Sequence, residues 1–421
     1  MANNKNILLV CFSFPPFPGI GGRRWAKFAK HLAQNGFNVH VLAAENTSGQ
    51  KSQWTDDTVH PSIKIDTFSL GLSRVFSFYP KTFFEKLTYK ALSIKADLFI
   101  RGNKQDKIYF VRNEILRMAD KLISENKIDT LIVTIPPYKL SYYLLPLKKK
   151  YPALKFIVDY RDPWTDNKSY HGFADITSED LAAETEYEIE VLQTADVIFD
   201  VNKHSLDVLK NKTNSKAKFI HLPNGFDLDD YKFTEAKSDC SPVLRFVYSG
   251  SFYPNLIYLL KPIINSLNKL EKENIALYKL LRFDFYGNMD HEAIHLLKQL
   301  NCKAITFHGN LPQKEVLDEI YQSDFCLLFS AADHNHALNT KFYEYLFMRK
   351  PILYFGNKGD ASDFILKNNV GVLFEPEKTE NALYEFLCSE KLRNFNYNKN
   401  CDITQFEVGN ISKTLIAAIN D

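Results

Sequence analysis

With 421 residues, 45% of them hydrophobic and 24% charged, the chain is long enough for two domains with separate cores and too apolar to be a disordered one. Its 52 Lys and Arg against 50 Asp and Glu leave a formal charge of +2, so nothing global draws it to nucleic acid and partners must be argued locally. The six cysteines (Cys11, Cys240, Cys302, Cys326, Cys388 and Cys401) show neither CxxC nor Cys/His metal spacing and read as reduced, buried thiols of a cytoplasmic protein.

The opening MANNKNILLVCFSF carries an apolar run too short for the core of a signal peptide and reads as a first strand over residues 7–12. No stretch approaches the roughly 18 apolar residues that a membrane span requires. A Pro/Gly loop follows, then a helix with Trp25, Phe28, Ala29 and Leu32 at helical spacing, Gly36 as its C-cap, and a strand over 39–43. Gly19, Gly21 and Gly22 let backbone come close to a ligand, or serve plain turn chemistry. Arg23 and Arg24 open the helix at its positive end, where cations are disfavoured unless an anion is bound.

From residue 70 to 122 aromatic and basic side chains interleave: Phe76, Phe78, Tyr79, Phe83, Phe84, Tyr89 and Phe99 among eleven Lys or Arg and five Asp or Glu between Arg74 and Lys121. Rings and cations on helical segments suit the interface of an anionic bilayer, while an ordinary helical insertion with a solvated face has the same look. Strands over 130–135 and 156–158 follow, the second running into DYRDPWTDNKSYHG. Asp159, Arg161, Asp162, Asp166 and Trp164 crowd that strand end, either as a polar cluster in a cleft or as structural ion pairs.

An acidic amphipathic helix over 180–193 leads to a strand over 197–201 and to a turn at Asn224-Gly225, and the polar stretch 231–242 reads as a linker. The chain then starts again with a strand over 244–248 and the turn SGSFYPN, in which Gly250 and Ser251 leave amides free to face a phosphate. A leucine-rich helix over 256–270, strands over 281–286 and 305–308 that each close on Gly-Asn, and a helix over 314–321 complete the repeat.

The stretch 323–355 is the most informative. Residues 325–329 and 351–355 are apolar strands around a helix over 339–348, a unit that implies a parallel sheet. The long loop before that helix places the helix N-terminus at a strand's carboxyl end, where open α/β sheets bind phosphates. Asn339 or Thr340 serves as N-cap. Lys341 in the first turn is a candidate diphosphate ligand, and Glu344, one turn on, a candidate acceptor for a sugar or ribose hydroxyl; the alternative is an exposed i,i+3 pair. A helix over 360–368, a strand over 370–374 and a last helix after residue 400 end the chain.

"NTKFYEYLFMRKPILYF" resembles the donor segment of family-4-type glycosyltransferases of the GT-B fold. "PPFPGIGGRRWAKFAKHLAQNGFNVHVL", "IVTIPPYKL" and "IVDYRDPWTD" are similar to further motifs of the same family. The resemblance implies an α/β fold of two Rossmann-like domains facing each other across a cleft: 1–230 on the acceptor side, 243–400 for the nucleotide sugar, and a helix in 401–421 crossing back to the first domain. It implies that Glu344 holds a ribose, and that Asn339, Thr340, Lys341, Gly250, Ser251, Gly21 and Gly22 line the donor. Arg161 and Asp162 occupy the place of a catalytic pair. The chain departs from the family where His336 replaces the first Glu of an E-x7-E pattern, and where Ser251 and Ile257 replace an Arg/Lys dyad.

The activity implied is metal-independent transfer of a hexose from a nucleotide-diphosphate sugar to a glycan or polyprenyl-linked acceptor. It would retain anomeric configuration and serve cell-surface polysaccharide synthesis, on the cytoplasmic side and peripheral to the inner membrane face, with no cofactor and no nucleic acid. A GT-B UDP-sugar epimerase and a catalytically silent nucleotide-sugar-binding scaffold are the alternatives.

Overall fold

Apolar runs such as Ile7 to Val10, Leu131 to Val133 and Phe325 to Phe329 leave no polar face for solvent, so each strand has to be covered on both sides. The computed structural model describes residues 5–77, 80–167, 172–231, 242–300, 302–332 and 338–421, and it meets that requirement with two parallel sheets coated by helices on both faces.

The first unit comprises Met1–Pro223 together with Val408–Asp421. In chain order it holds β1 (Asn6–Val10), α1 (Arg23–Gln34), β2 (Asn38–Ala44), β3 (Ile63–Phe68), α2 (Phe83–Phe99), α3 (Arg112–Asn126), β4 (Thr130–Ile135), α4 (Lys139–Tyr143), α5 (Leu145–Lys150), β5 (Lys155–Tyr160), α6 (Ser178–Thr194), β6 (Val197–Asp200), α7 (Lys203–Lys212) and β7 (Lys218–His221). The sheet order is β3-β2-β1-β4-β5-β6-β7, all parallel. Successive residues of β1 face opposite cores: Leu8 and Val10 join the layer under α3 and α4, Ile7 and Leu9 the layer under α1.

The second unit, Asn224–Glu407, adds β8 (Leu244–Ser249), α8 (Ile257–Glu273), α9 (Ile275–Tyr278), β9 (Leu281–Tyr286), α10 (His291–Leu300), β10 (Ile305–Gly309), α11 (Gln313–Tyr321), β11 (Phe325–Phe329), α12 (Thr340–Phe347), β12 (Ile352–Phe355), α13 (Asp360–Lys367), β13 (Gly371–Phe374) and α14 (Thr379–Cys388). Its order is β10-β9-β8-β11-β12-β13. The order of strands reverses beside the first strand of each sheet, at β1/β4 and at β8/β11, and ligands of such sheets bind beyond the strand ends at that switch point.

The final helix, α15 (Val408–Asn420), returns to the first unit, where Ile411, Leu415 and Ile419 pack in one layer with Trp25, Phe28 and Leu32. Lysines close its C-terminus: Lys155 Nζ donates to the Ala418 carbonyl at 2.6 Å and Lys5 Nζ to the Ile419 carbonyl at 3.2 Å, meeting the negative end of the dipole. The expected linker falls largely on residues 232–241, which lie outside the described residues, as do Phe78, Tyr79 and Cys240. Cys11 and Cys326 are fully buried, and burial pushes both thiols up to about 12.

Candidate functional site

At the switch point of the second sheet, two main-chain segments and the Lys341 side chain approach one another closely. Gly250, directly after β8, has φ of +123°, and a Cβ there would lie 2.1 Å from Cε of Lys341. Gly287, directly after β9, has φ of +124°, and a Cβ there would lie 2.4 Å from the Gly250 carbonyl oxygen. Both positions favour glycine for backbone angle; at Gly287, where the obstacle is backbone, space requires it too, whereas at Gly250 the obstacle is the movable end of the Lys341 side chain. They clear the region beyond the strand ends into which α12 points.

Asn339 is the N-cap of α12: its side chain accepts from the Phe342 amide at 3.2 Å, which leaves the amides of Thr340 and Lys341 without intrahelical partners. Lys341 Nζ donates to the Tyr248 hydroxyl at 3.1 Å and sits 4.7 Å from the centre of that ring. The same hydroxyl donates to the Ser251 carbonyl at 2.8 Å. Among the described residues no carboxylate pairs with this ammonium. Burial pushes its pKa down from 10.5 to about 8, while the charges of Tyr253 and Glu344 pull the other way. A desolvated lysine beside two free amides at a helix N-terminus is a site for an anion.

Other expected donor residues fall around it. Ser251 offers its carbonyl to Tyr248, and Glu344, half-buried, stands one helical turn after Lys341 and acts on it electrostatically. Ile257 is the first residue of α8, so an apolar group starts that helix. His336 lies outside the described residues. Tyr248 and Tyr345, which the sequence presents as ordinary core aromatics, hold the site's shape: Tyr345 Oη accepts from the Ser249 amide at 3.1 Å and meets the Ser249 hydroxyl at the same distance, tying α12 to the end of β8.

In the first unit, Gly21 and Gly22 close a single 3-10 turn that runs straight into α1. Arg161 Nη1 donates to the Gly21 carbonyl at 2.7 Å and Nε to the Ile135 carbonyl at 3.2 Å, and the Pro136 carbonyl accepts from Nη2. The guanidinium thus ties together the loops after β1, β4 and β5. Asp162 beside it is exposed. Lys107, absent from the candidates above, lies over the Phe12 ring at 3.9 Å, and burial together with the nearby Arg161 charge pushes it down to about 8.

Two alternatives left open by the sequence are decided here. The anion that meets Arg24 belongs to the chain itself. Asp159, wholly buried, accepts from Arg24 Nη2 at 2.8 Å, Arg24 Nε at 3.2 Å, Trp25 Nε1 at 2.7 Å and Thr134 Oγ1 at 2.9 Å. The polar group after β5 is dispersed rather than clustered: Asp159 turns under α1, Trp164 Nε1 donates to Glu184 at 2.8 Å, and Asp166 pairs with Lys212. The chain leaves the strand at Tyr160 and bends and turns through residues 161–166, so these neighbours in sequence are sent to different partners. Among the described residues no group of three or more His, Cys, Asp or Glu is placed to hold a metal ion.

No family model and no curated protein matches the sequence. The structure is similar to solved ones across nearly its whole length. A sucrose-phosphate synthase from Thermosynechococcus elongatus superposes with a TM-score of 0.69 at 12% identity, covering 99% of this chain and 98% of that one. A trehalose-6-phosphate structure from E. coli bound with UDP-2-fluoro glucose gives 0.66 at 11%, with 99% of each chain covered. WaaG, a glycosyltransferase involved in lipopolysaccharide biosynthesis, gives 0.60 at 13%, covering 98% of this chain and 99% of its own. At these identities the likeness establishes the GT-B fold class, two Rossmann-like units with parallel sheets of seven and six strands.

Proposed function

We propose that this chain is a glycosyltransferase that moves a sugar from a nucleotide-diphosphate sugar to a glycan or polyprenyl-linked acceptor, with retention at the anomeric carbon, in the assembly of cell-surface polysaccharide at the cytoplasmic face of the membrane. One observation carries the reading: the Lys341 ammonium, half-buried, desolvated and without a carboxylate among the described residues, lies against Gly250 at the switch point of the second sheet. Negative charge grows on the leaving diphosphate during transfer, and a preset cation with two free amides stabilises it without a metal ion. Glu344 accepts from a ribose hydroxyl, and Ser251 and Thr340 border the phosphates. On the acceptor side, Arg161 acts by holding the Gly21–Gly22 loop.

UDP-sugar and GDP-sugar donors tested by thermal shift identify the ligand, because a ligand bound only by the folded state raises Tm. Lys341→Ala is expected to weaken the best donor by roughly 30- to 150-fold, the equivalent of about 2–3 kcal/mol for a charge-assisted phosphate contact. Wild-type affinity should be flat below pH 7 and fall above pH 8, where the free protein loses the ammonium that the diphosphate needs; binding at pH 9 should take up a proton. A donor shift that survives Lys341→Ala removes the site.

Ser251 and Ile257 favour one second reading, a silent nucleotide-sugar binder, since neither supplies positive charge to a leaving group. Donor binding with neither hydrolysis nor transfer to lipid or glycan extracts would support it.

A further inference from the structure

We propose that the outward face of α2 seats on an anionic lipid surface. The helix is a rigid element: Thr82 Oγ1 accepts from the Glu85 amide at 3.2 Å and Glu85 Oε2 from the Thr82 amide at 3.0 Å, a complete capping box. It buries Leu92 and Ala96 against its own unit, and Tyr89 meets Phe76 edge-on at 5.4 Å. The opposite face is apolar as well. Phe83, Leu87, Ala91, Ile94 and Leu98 recur every three or four residues and form one stripe, whose large members are 53–75% exposed. Phe84 beside them is 78% exposed, and Leu72 in the adjoining 3-10 turn 70%.

A continuous apolar stripe turned to solvent marks an interaction site. Its occupant follows from the charges at its margins. By helical geometry Lys86, Lys90 and Asp97 run along one edge and Lys95 along the other, all exposed, so the margins carry a net positive charge, and among the described residues none of the three lysines pairs with a carboxylate. An apolar face edged by lysines on both sides suits a helix lying in the headgroup layer, with rings below and cations against phosphates. No described helix is long and apolar enough to cross a membrane, so α2 lies along the surface rather than through it.

The inference uses residues remote in sequence from the donor site and stands or falls separately from it. Its test is flotation of the full chain with phosphatidylcholine vesicles, with and without phosphatidylglycerol. Wild type is expected to float with the anionic vesicles and to be released by high salt. The triple variant Leu87→Ser, Ile94→Ser, Leu98→Ser should lose binding by about tenfold or more while keeping its Tm and its donor thermal shift. Lys86→Gln, Lys90→Gln, Lys95→Gln should erase the preference for the anionic vesicles. Failure of wild type to float, or flotation unchanged in the serine variant, overturns the inference. So does a wild-type dimer that the serine variant converts to monomer without any vesicle binding, since the stripe would then be covered by a second copy.

Discussion

Asp159→Ala is expected to destabilise the first unit by about 3–5 kcal/mol, because it leaves the Arg24 guanidinium buried without its counter-charge. The carboxylate accepts four hydrogen bonds, from Arg24 twice, from Trp25 and from Thr134. Arg24 also donates to the carbonyls of Leu222 and Pro223 at 2.7 and 2.9 Å, so the pair joins the start of α1, the end of β5 and the last stretch of the unit. A unit of this size loses roughly 2–4 °C of Tm per kcal/mol, which makes the drop easy to read in a thermal melt. Asp159→Asn keeps an acceptor for Trp25 and Thr134 and should fall between the two. Arg24→Met combined with Asp159→Leu removes both charges at similar volume and is expected to melt above Asp159→Ala alone. A melt of Asp159→Ala within a degree of wild type would mean that the buried pair is not formed.

That pair also shows where reading the chain stops short. Arg24 and Asp159 stand 135 positions apart, and nothing in either local pattern points to the other. An unexplained cation at a helix start signals an anion; whether a ligand or the chain supplies it is a tertiary fact. Arg161 poses the same problem, since its acceptors are the carbonyls of Gly21, Ile135 and Pro136, and backbone acceptors leave no mark on sequence. The strands buried on both faces were legible because they are unbroken apolar runs: residues 130–135, 281–286 and 325–329 coincide with β4, β9 and β11. The strands passed over are both sheet edges. β3 reads IKIDTF with only its end residues buried, and β7 reads KFIH with none fully buried, so neither carries the signal of a central strand. Helices α4, α5, α7, α9, α10 and α14 leave no such signal either, each burying only one to four residues. At the proposed donor site, Lys341, Asn339 and Gly250 stand out by being out of place: a cation in a first turn, a cap after a long loop, a glycine at a strand end. Tyr248 and Tyr345 did not, because a strand or helix aromatic looks like core until its hydroxyl finds a use.

Gly250→Ala is expected to weaken donor binding as much as Lys341→Ala does, although it removes no ligand group. At φ of +123° a side chain strains the backbone, at a cost of about 1–3 kcal/mol. The added methyl would also occupy the space of the Lys341 Cε, pushing the ammonium off the Tyr248 hydroxyl and away from the amides of α12. The two effects separate in a double-mutant cycle. With Lys341→Ala in place the clash is gone, so Gly250→Ala should then cost only the backbone strain, and the two changes should be less than additive in unfolding free energy by about 1 kcal/mol or more. Lys341→Ala alone is expected to leave the free protein as stable as wild type or more so, because the fold is strained by a desolvated ammonium that no carboxylate neutralises. The pH dependence follows the same logic. The folded pKa lies near 8, below the 10.5 of an exposed lysine, so between these values the unfolded chain binds more protons and wild-type stability rises with pH. Lys341→Ala should lose that rise. A wild-type stability curve that is flat from pH 8 to 10.5, or a Gly250→Ala variant that binds donor normally, would show that Lys341 is held at no cost to the fold and that the space beside Gly250 is not where the diphosphate sits.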